Sequence, residues 1–423
     1  MDVGGFVFSD QLLQISTLLS SHYVYGLGEH NGPLLKSTNW KQYTLWNMDS
    51  APSDTSLNLY GSHPFYLVME DGGRSHGVFL KNSNAMEAIL QPAPALTFRT
   101  IGGILDFYFF LGPDPMSVVE QYTDVIGKPF LVPFWSLGYH QCRFGYKNVS
   151  DTRAVMERTL KAGIPMDVQW NDLDYMRNRN GFTLDQKNFG TLPEFVDEIH
   201  KRGMHYIPIV DPGVSGNEKR GTYPPYDIGL DMNIFVRNAS DKPFVGRVWN
   251  PVNTVWPDFT HPRAAEYWGK MFKDFHDTVA IDGAWIDMNE PSNFDSGQIK
   301  SGCPTSGPDG ALNVPPYTPR DLPRDMLYYR TICPSARQAA GSHYNLHNMY
   351  GFTETMVTNA ALRSVRPKLR PFIISRSTFP GQGRYGGHWT GDISSNWEAM
   401  RYSISGSWMV LCFYMWRNHL LCI

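Results

Sequence analysis

Acidic side chains recur in this sequence where buried strands should end. Asp172, Asp211, Asp287 and Asp392 each close a short apolar run, and His140 and Arg376 close two more. Burying a carboxylate without partners costs several kcal/mol, so an acid at the end of a core strand needs a reason. One such Asp serves as a helix cap or turn former. A ring of them at matching strand ends is the mouth of a (β/α) barrel, where catalytic groups gather. The richest stretch is Asp282-Gly-Ala-Trp-Ile-Asp-Met-Asn-Glu-Pro-Ser-Asn-Phe294. There Asp287, Asn289 and Glu290 emerge just before Pro291, which cannot donate to a ladder and stops the strand. The plainer alternative is that Glu290 and Ser292 cap a following helix.

Several acids, one arginine and several tryptophans support two chemistries. Metal-dependent hydrolysis would use the acids as hard oxygen ligands. No His-x-His or Glu-x-x-His spacing accompanies them, so neither a metal nor another cofactor is expected. Glycoside hydrolysis needs two carboxylates, one a nucleophile and one a general acid. Trp285 stands two residues before Asp287 and Trp389 three before Asp392, placed to wall a sugar pocket. An apolar wall also raises the pKa of a nearby carboxyl, which a general acid requires.

Those residues need a scaffold. From Pro133 onward, strands and helices alternate, the signature of a parallel α/β sheet. The strands are expected at Phe134–His140, Met166–Asp172, His205–Asp211, Gly283–Asp287, Pro371–Ser375 and His388–Asp392. Helices are expected at Val149–Ala162, Leu192–Arg202, Pro262–Thr278, Thr353–Val365 and Ser395–Ser403. A doubly wound open sheet is disfavoured because no glycine-rich phosphate loop follows an early strand. Residues 1–130 read as an all-β sandwich and linker, and 131–423 as the barrel with a loop insertion at 296–323. Apolar runs such as Phe65–Met69, His76–Leu80 and Leu105–Leu111 lie between glycine turns, and Asp114-Pro115 opens a helix. The apolar Trp408–Trp416 run suits a core strand.

The chain has 423 residues with a net charge of −3, which gives no electrostatic footprint for nucleic acid or an anionic membrane. No membrane attachment is expected from this chain, since no apolar run reaches the length of a span and no signal-peptide pattern opens it. The 12 Trp and 22 Tyr, though mostly core, also suit a cleft that stacks flat sugar rings. Five cysteines exclude a fully paired framework. Cys303, within the 296–323 excursion, and Cys333 flank a Pro/Gly-rich stretch, and pairing them would close it. Asn148-Val-Ser150 and Asn238-Ala-Ser240 are glycosylation acceptors, leaning toward the secretory pathway, lysosomal or extracellular.

Trp285-Ile-Asp-Met-Asn-Glu-Pro-Ser-Asn-Phe294 resembles the signature of glycoside hydrolase family 31, retaining α-glucosidases with a (β/α)8 TIM-type barrel behind a β-sandwich. The stretch Arg376–Asp392 resembles the family's second catalytic segment. Gln169–Tyr175, Ile209–Pro212 and Leu45–Asp49 are similar to further family blocks, in the family's order. The resemblance implies Asp287 as nucleophile, Asp392 as acid/base and Glu290 as a supporting residue. It implies Asp172 and Arg376 as partners of the terminal glucose hydroxyls, and Trp249, Trp285, Met288 and Trp389 as pocket lining. Asp49 would come from a sandwich loop inserted into the site. Phe144 stands where the family uses Tyr in an outer subsite, and Leu173 stands where it uses Ile.

The resemblance also implies departures. The chain opens inside the family's sandwich, and the family's Gly-Ala/Pro-Asp-Ile/Val-Cys-Gly-Phe block does not follow Ser405. A barrel incomplete on its C-terminal side is therefore expected. Cys412–His419 loosely resembles a later segment in which His419 would bind substrate. The expected activity is release of terminal non-reducing glucose from maltose-like oligosaccharides. Alternatives are an inactive carbohydrate-binding remnant, a glycan-trimming glucosidase or an α-xylosidase.

Overall fold

The computed structural model describes residues 5–52 and 58–411, with side chains through 406. His419, Cys412, Cys422 and the second half of the Trp408–Trp416 run lie outside the described residues.

The N-terminal part is an antiparallel sandwich of two five-stranded sheets. In chain order its strands are β1 (Val7–Ser9), β2 (Leu12–Leu18), β3 (Tyr23–Gly28), β4 (Leu35–Lys36) and β5 (Lys41–Leu45). They continue as β6 (His63–Met69), β7 (Ser75–Leu80), β8 (Met86–Gln91), β9 (Ala95–Thr100) and β10 (Phe107–Phe110). One sheet runs β1-β2-β9-β8-β5 and the other β10-β7-β6-β3-β4. β6 is buried on both faces, which explains why its sequence lacks alternation. Tyr66 and Val68 face the inter-sheet core, while Phe65 and Leu67 face Val118 and Tyr122 of helix α1 (Pro115–Ile126). Asp114 caps α1, its carboxylate accepting from Met116 and Ser117 N–H, with Pro115 in the first turn.

Six parallel strands then form an arc in chain order. They are β11 (His140–Gln141), β12 (Val168–Asn171), β13 (His205–Pro208), β14 (Ala284–Ile286), β15 (Ile373–Ser375) and β16 (Gly387–His388). β13 joins β14 through the Ile209–Trp285 bridge, where Val210 N–H donates to Trp285 O at 2.6 Å. Helices α2 (Val149–Lys161), α3 (Leu192–Lys201), α4 (Ala264–His276) and α5 (Tyr350–Val365) fill the crossovers, and α6 (Trp397–Leu411) follows β16. This is a TIM-type barrel arrangement, its strands packed with Val168, Ile207, Ala284, Ile286, Ile373 and Ile374.

Three expected strands differ. Of His388–Asp392 only His388 is strand, in β16, because the chain turns away at Gly391, whose φ is +78°. Phe134–Leu137 is a turn of 3-10 helix, because Ser136 bonds back to Pro133 O through both its N–H (3.1 Å) and its hydroxyl (2.6 Å). Only His140–Gln141 pairs with β12. Residues 408–411 belong to helix α6 and not to a strand, because Asn396 starts the helix, its Oδ1 accepting from Ala399 N–H at 2.8 Å. The 296–323 excursion carries a short helix, Gly307–Asn313, and is tied by a Cys303–Cys333 disulfide.

Candidate active site

The strand ends converge on one guanidinium. Arg376, directly after β15 and 2% exposed, donates from Nε and Nη2 to the two oxygens of Glu290 at 2.7 and 2.8 Å. The same Nε lies 3.1 Å from Asp287 Oδ1, and Nη2 lies 3.3 Å from Asp49 Oδ1. Its face rests on the Tyr60 ring, 4.8 Å from the centroid. Such a fork suits Arg and not Lys, since the planar guanidinium satisfies two oxygens of one carboxylate at once.

Asp49 and Tyr60 both come from the sandwich. The Asn47 side chain pins the loop after β5 to the barrel, donating to Ser377 Oγ at 2.7 Å, while Asn47 N–H donates to Asn348 Oδ1 at 2.8 Å. Ser62 N–H donates to Thr378 O at 3.2 Å, anchoring the far end. Asp49 Oδ2 accepts from Ser292 Oγ at 2.8 Å, so the sandwich loop touches the turn beyond β14. Gly391 is required opposite, because a Cβ there would meet the Tyr60 ring at 2.2 Å and the backbone has φ +78°.

Asp287 is buried at the end of β14. Burial, and secondarily Glu290 and Asp392, raise its pKa to about 7 against the opposing pull of Arg376. Asp172, after β12, is pushed up to about 6 by burial, with Asp174 and Asp392 adding to the effect. Its Oδ1 accepts from Leu173 N–H at 2.6 Å, and Leu173 is buried beside it. Asp392 lies exposed in the loop four residues beyond β16, so the burial expected at the general acid falls instead on Asp287. Asp211 is buried among Asp287, Asp172 and Arg376, and burial holds its pKa well above the usual range.

Trp285 packs edge-on against Trp389 and beside Trp170, each at 5.5 Å between ring centroids. The buried indole N–H groups of Trp285 and Trp249 have no hydrogen-bond partner, so both can donate to a ligand. Met288 is buried with φ +58°, a strained turn that brings the chain out of β14. Trp249 meets Phe294 edge-on at 5.0 Å, and the Arg179 guanidinium lies over both Trp249 and the half-exposed Phe144, at 5.4 and 5.9 Å. Asn148 caps α2, its Oδ1 accepting from Asp151 N–H at 2.9 Å. Asn238 sits in a turn with its amide donating to Gln298 Oε1 at 2.8 Å.

Sequence reasoning missed Tyr60 and the buried Glu354, and it weighed Ser292 only as a helix cap, whereas no helix follows directly and its hydroxyl bonds Asp49. Glu354 alone left a signal, as an acid on the face of α5 that carries Gly351, Thr355, Thr358 and Leu362 at helical spacing.

A barrel mouth with acids gathered on one arginine, indole walls and an inserted sandwich loop defines a carbohydrate-processing barrel. Residues 129–416 match the Glycosyl hydrolases family 31 TIM-barrel domain, and residues 10–87 match the Glycosyl hydrolase 31 N-terminal galactose mutarotase-like domain. The chain belongs to glycosyl hydrolase family 31. It is 53% identical over 402 residues to lysosomal alpha-glucosidase of Bos taurus, covering 95% of this chain and 42% of that protein. It is 43% identical over 410 residues to intestinal sucrase-isomaltase of Homo sapiens, covering 96% of this chain and 22% of that one. Among solved structures, the alpha3-Glc2-bound glucosidase II alpha subunit superposes with a TM-score of 0.80 at 26% identity, over 95% of this chain and 43% of that chain. The chain thus spans less than half the length of these relatives.

Proposed function

We propose that the chain acts as a retaining exo-α-glucosidase, releasing terminal non-reducing α-linked glucose from maltose-like oligosaccharides. The observation that carries this is Asp287, buried at a barrel strand end with Arg376 Nε at 3.1 Å from its Oδ1 and two indoles beside it. The names of its relatives, lysosomal alpha-glucosidase and sucrase-isomaltase among them, support the substrate class.

In this reading an Asp287 oxygen attacks the anomeric carbon while Asp392 protonates the departing glycosidic oxygen. A covalent glucosyl ester forms, and Asp392, now a carboxylate, takes a proton from the water that cleaves it. Arg376 holds Asp287 and Asp49 in place, with Glu290 fixing the guanidinium. Asp172 and Arg376 receive hydroxyls of the terminal glucose. Trp249, Trp285, Leu173, Met288 and Trp389 shape its pocket, and Phe144 borders the outer subsite without a phenolic hydroxyl to offer. The secretory pathway, lysosomal or extracellular, is the proposed compartment, with glycans on Asn148 and Asn238.

A fluorinated glucosyl donor tests the chemistry. Intact mass should show one glucosyl adduct mapping to Asp287 and absent from D287N. A chain that binds the donor without forming the ester would instead be an inactive carbohydrate-binding protein.

A further inference from the structure

Helix α5 turns an acid inward. Glu354 lies on its buried face, 0% exposed, and neither side-chain oxygen has a hydrogen-bond partner. The side chain that acts on it is the Asn289 amide, close enough to favour its charged form yet outside good hydrogen-bond geometry, since the amide donates to Ser375 Oγ at 2.9 Å and accepts from Ser377 N–H at 2.8 Å. Asn289 sits between Asp287 and Glu290, so its amide ties their turn to the residues around Arg376. Contact between α5 and that turn is close: a Cβ on Gly351, one turn before Glu354, would stand 2.9 Å from Asn289 O.

The titratable groups that face Glu354 are acids. Asp287 and Glu290 approach from the end of β14, Asp211 from beyond β13, and the Tyr350 phenol from α5 itself. The Arg376 guanidinium is already taken up by Glu290, Asp287 and Asp49. An ionised Glu354 would therefore be a buried charge among groups that are themselves acids, with the nearby guanidinium already engaged, a costly arrangement for a core. Burial, then Asp287 and Glu290, hold its pKa well above the carboxylate range, and the neighbouring Asn289 offsets this only in part.

We propose that Glu354 is a positioning residue that keeps its proton, a neutral carboxylic acid wedged under the Asn289 amide to support the turn carrying Asp287 and Glu290. It acts through Asn289 and does not touch substrate. Its catalytic consequence rests on Asp287 being the nucleophile; its protonation does not. By staying neutral it adds no further anion beside Asp287, which must lose its own proton to attack.

Infrared spectra of the 423-residue chain in heavy water at pH 7 test this directly. The wild-type minus E354Q difference should contain a protonated-carboxyl stretch, and no such band would overturn the proposal. Glutamine mimics a neutral acid, so E354Q should fold, keep kcat/KM within about twofold and leave its acid limb unmoved. An unfolded E354Q, or an acid limb lowered by a unit or more, would show that the native side chain is charged. E354L, or E354A where leucine is not accepted, should lower kcat about tenfold with little change in KM. Unchanged kcat there would leave Glu354 no positioning role. If the chain shows no turnover at all, the infrared difference still decides the protonation while the proposed function fails separately.

Discussion

Asp287, the attacking group in the proposed reaction, is held at the expense of the fold. Its pKa is raised to about 7, chiefly by burial, whereas in the unfolded chain it titrates near the ordinary value of about 3.9. Below pH 4 both forms are protonated and the group is neutral to stability. Between about pH 4 and 7 the unfolded chain releases a proton that the folded chain retains, so rising pH increasingly favours unfolding. The penalty saturates at roughly 4 kcal/mol, three pKa units at about 1.4 kcal/mol each. Asp172, raised to about 6, adds a smaller penalty of the same sign. D287N removes this term, so its Tm should exceed the wild type by roughly 2–4 °C at pH 7, with the gain gone by pH 4. Paired calorimetry at the two pH values decides; a destabilised D287N at pH 7 would mean that the ion pair with Arg376 outweighs burial.

At the scale of elements, what positions the site is less the strands than the segments leaving them. The barrel strands are two to four residues long, shorter than the apolar runs that forecast them. Asp211 and Asp392 consequently stand in loops beyond their strands. The acids, the indoles and the parallel alternation were legible because each is a local pattern of type and period. The fork between Arg376 and Glu290 was not, since it joins residues 86 positions apart, and neither was the Tyr60 ring beneath it. Nothing in the spacing of Tyr60 says that its loop crosses to the barrel. Likewise 134–137 carries an apolar run, yet a hydroxyl at Ser136 and the preceding Pro133 coil it. The contact of α5 with the Asp287 turn yields a sharper expectation. In G351A the new methyl would stand 2.8 Å from Ser377 Cβ and 2.9 Å from Asn289 O, which should cost about 1–3 kcal/mol and lower kcat. Gly269 in α4 has only Ser364 Oγ within reach, at 3.8 Å, so G269A should stabilise by about 0.5–1 kcal/mol. Denaturant unfolding of both variants checks the pair, and equal effects would refute the close approach.

On the scale of the whole molecule, sandwich and barrel are joined by the excursion that the Cys303–Cys333 disulfide closes. Its Tyr317 hydroxyl bonds the buried Glu87 of β8 and accepts from Arg99 of β9 at 2.9 Å. Arg320 O accepts from Thr44 of β5, and Leu327 O from the Trp46 indole at 3.0 Å. Leu322 and Leu327 pack with Trp46, Ile101 and Tyr344 in a small core between the two parts. Near Cys333, the chain also braces the turn after Glu290: Thr331 Oγ1 donates to Pro291 O at 2.5 Å, and Asn293 N–H to Arg330 O at 2.9 Å. One crosslink over 30 positions thus secures both the domain junction and the turn that carries Asp287 and Glu290. Opening a loop of that length restores chain entropy worth about 3–4 kcal/mol to the unfolded state. The C303S/C333S double variant should therefore melt roughly 3–4 °C lower than the wild type. It should also be nicked first by trypsin after Arg320 and Arg324, inside the freed segment, while cleavage within α4 and α5 stays slow. Initial cleavage elsewhere, with the excursion intact, would show that the hydrogen bonds to the sandwich hold this segment without the disulfide.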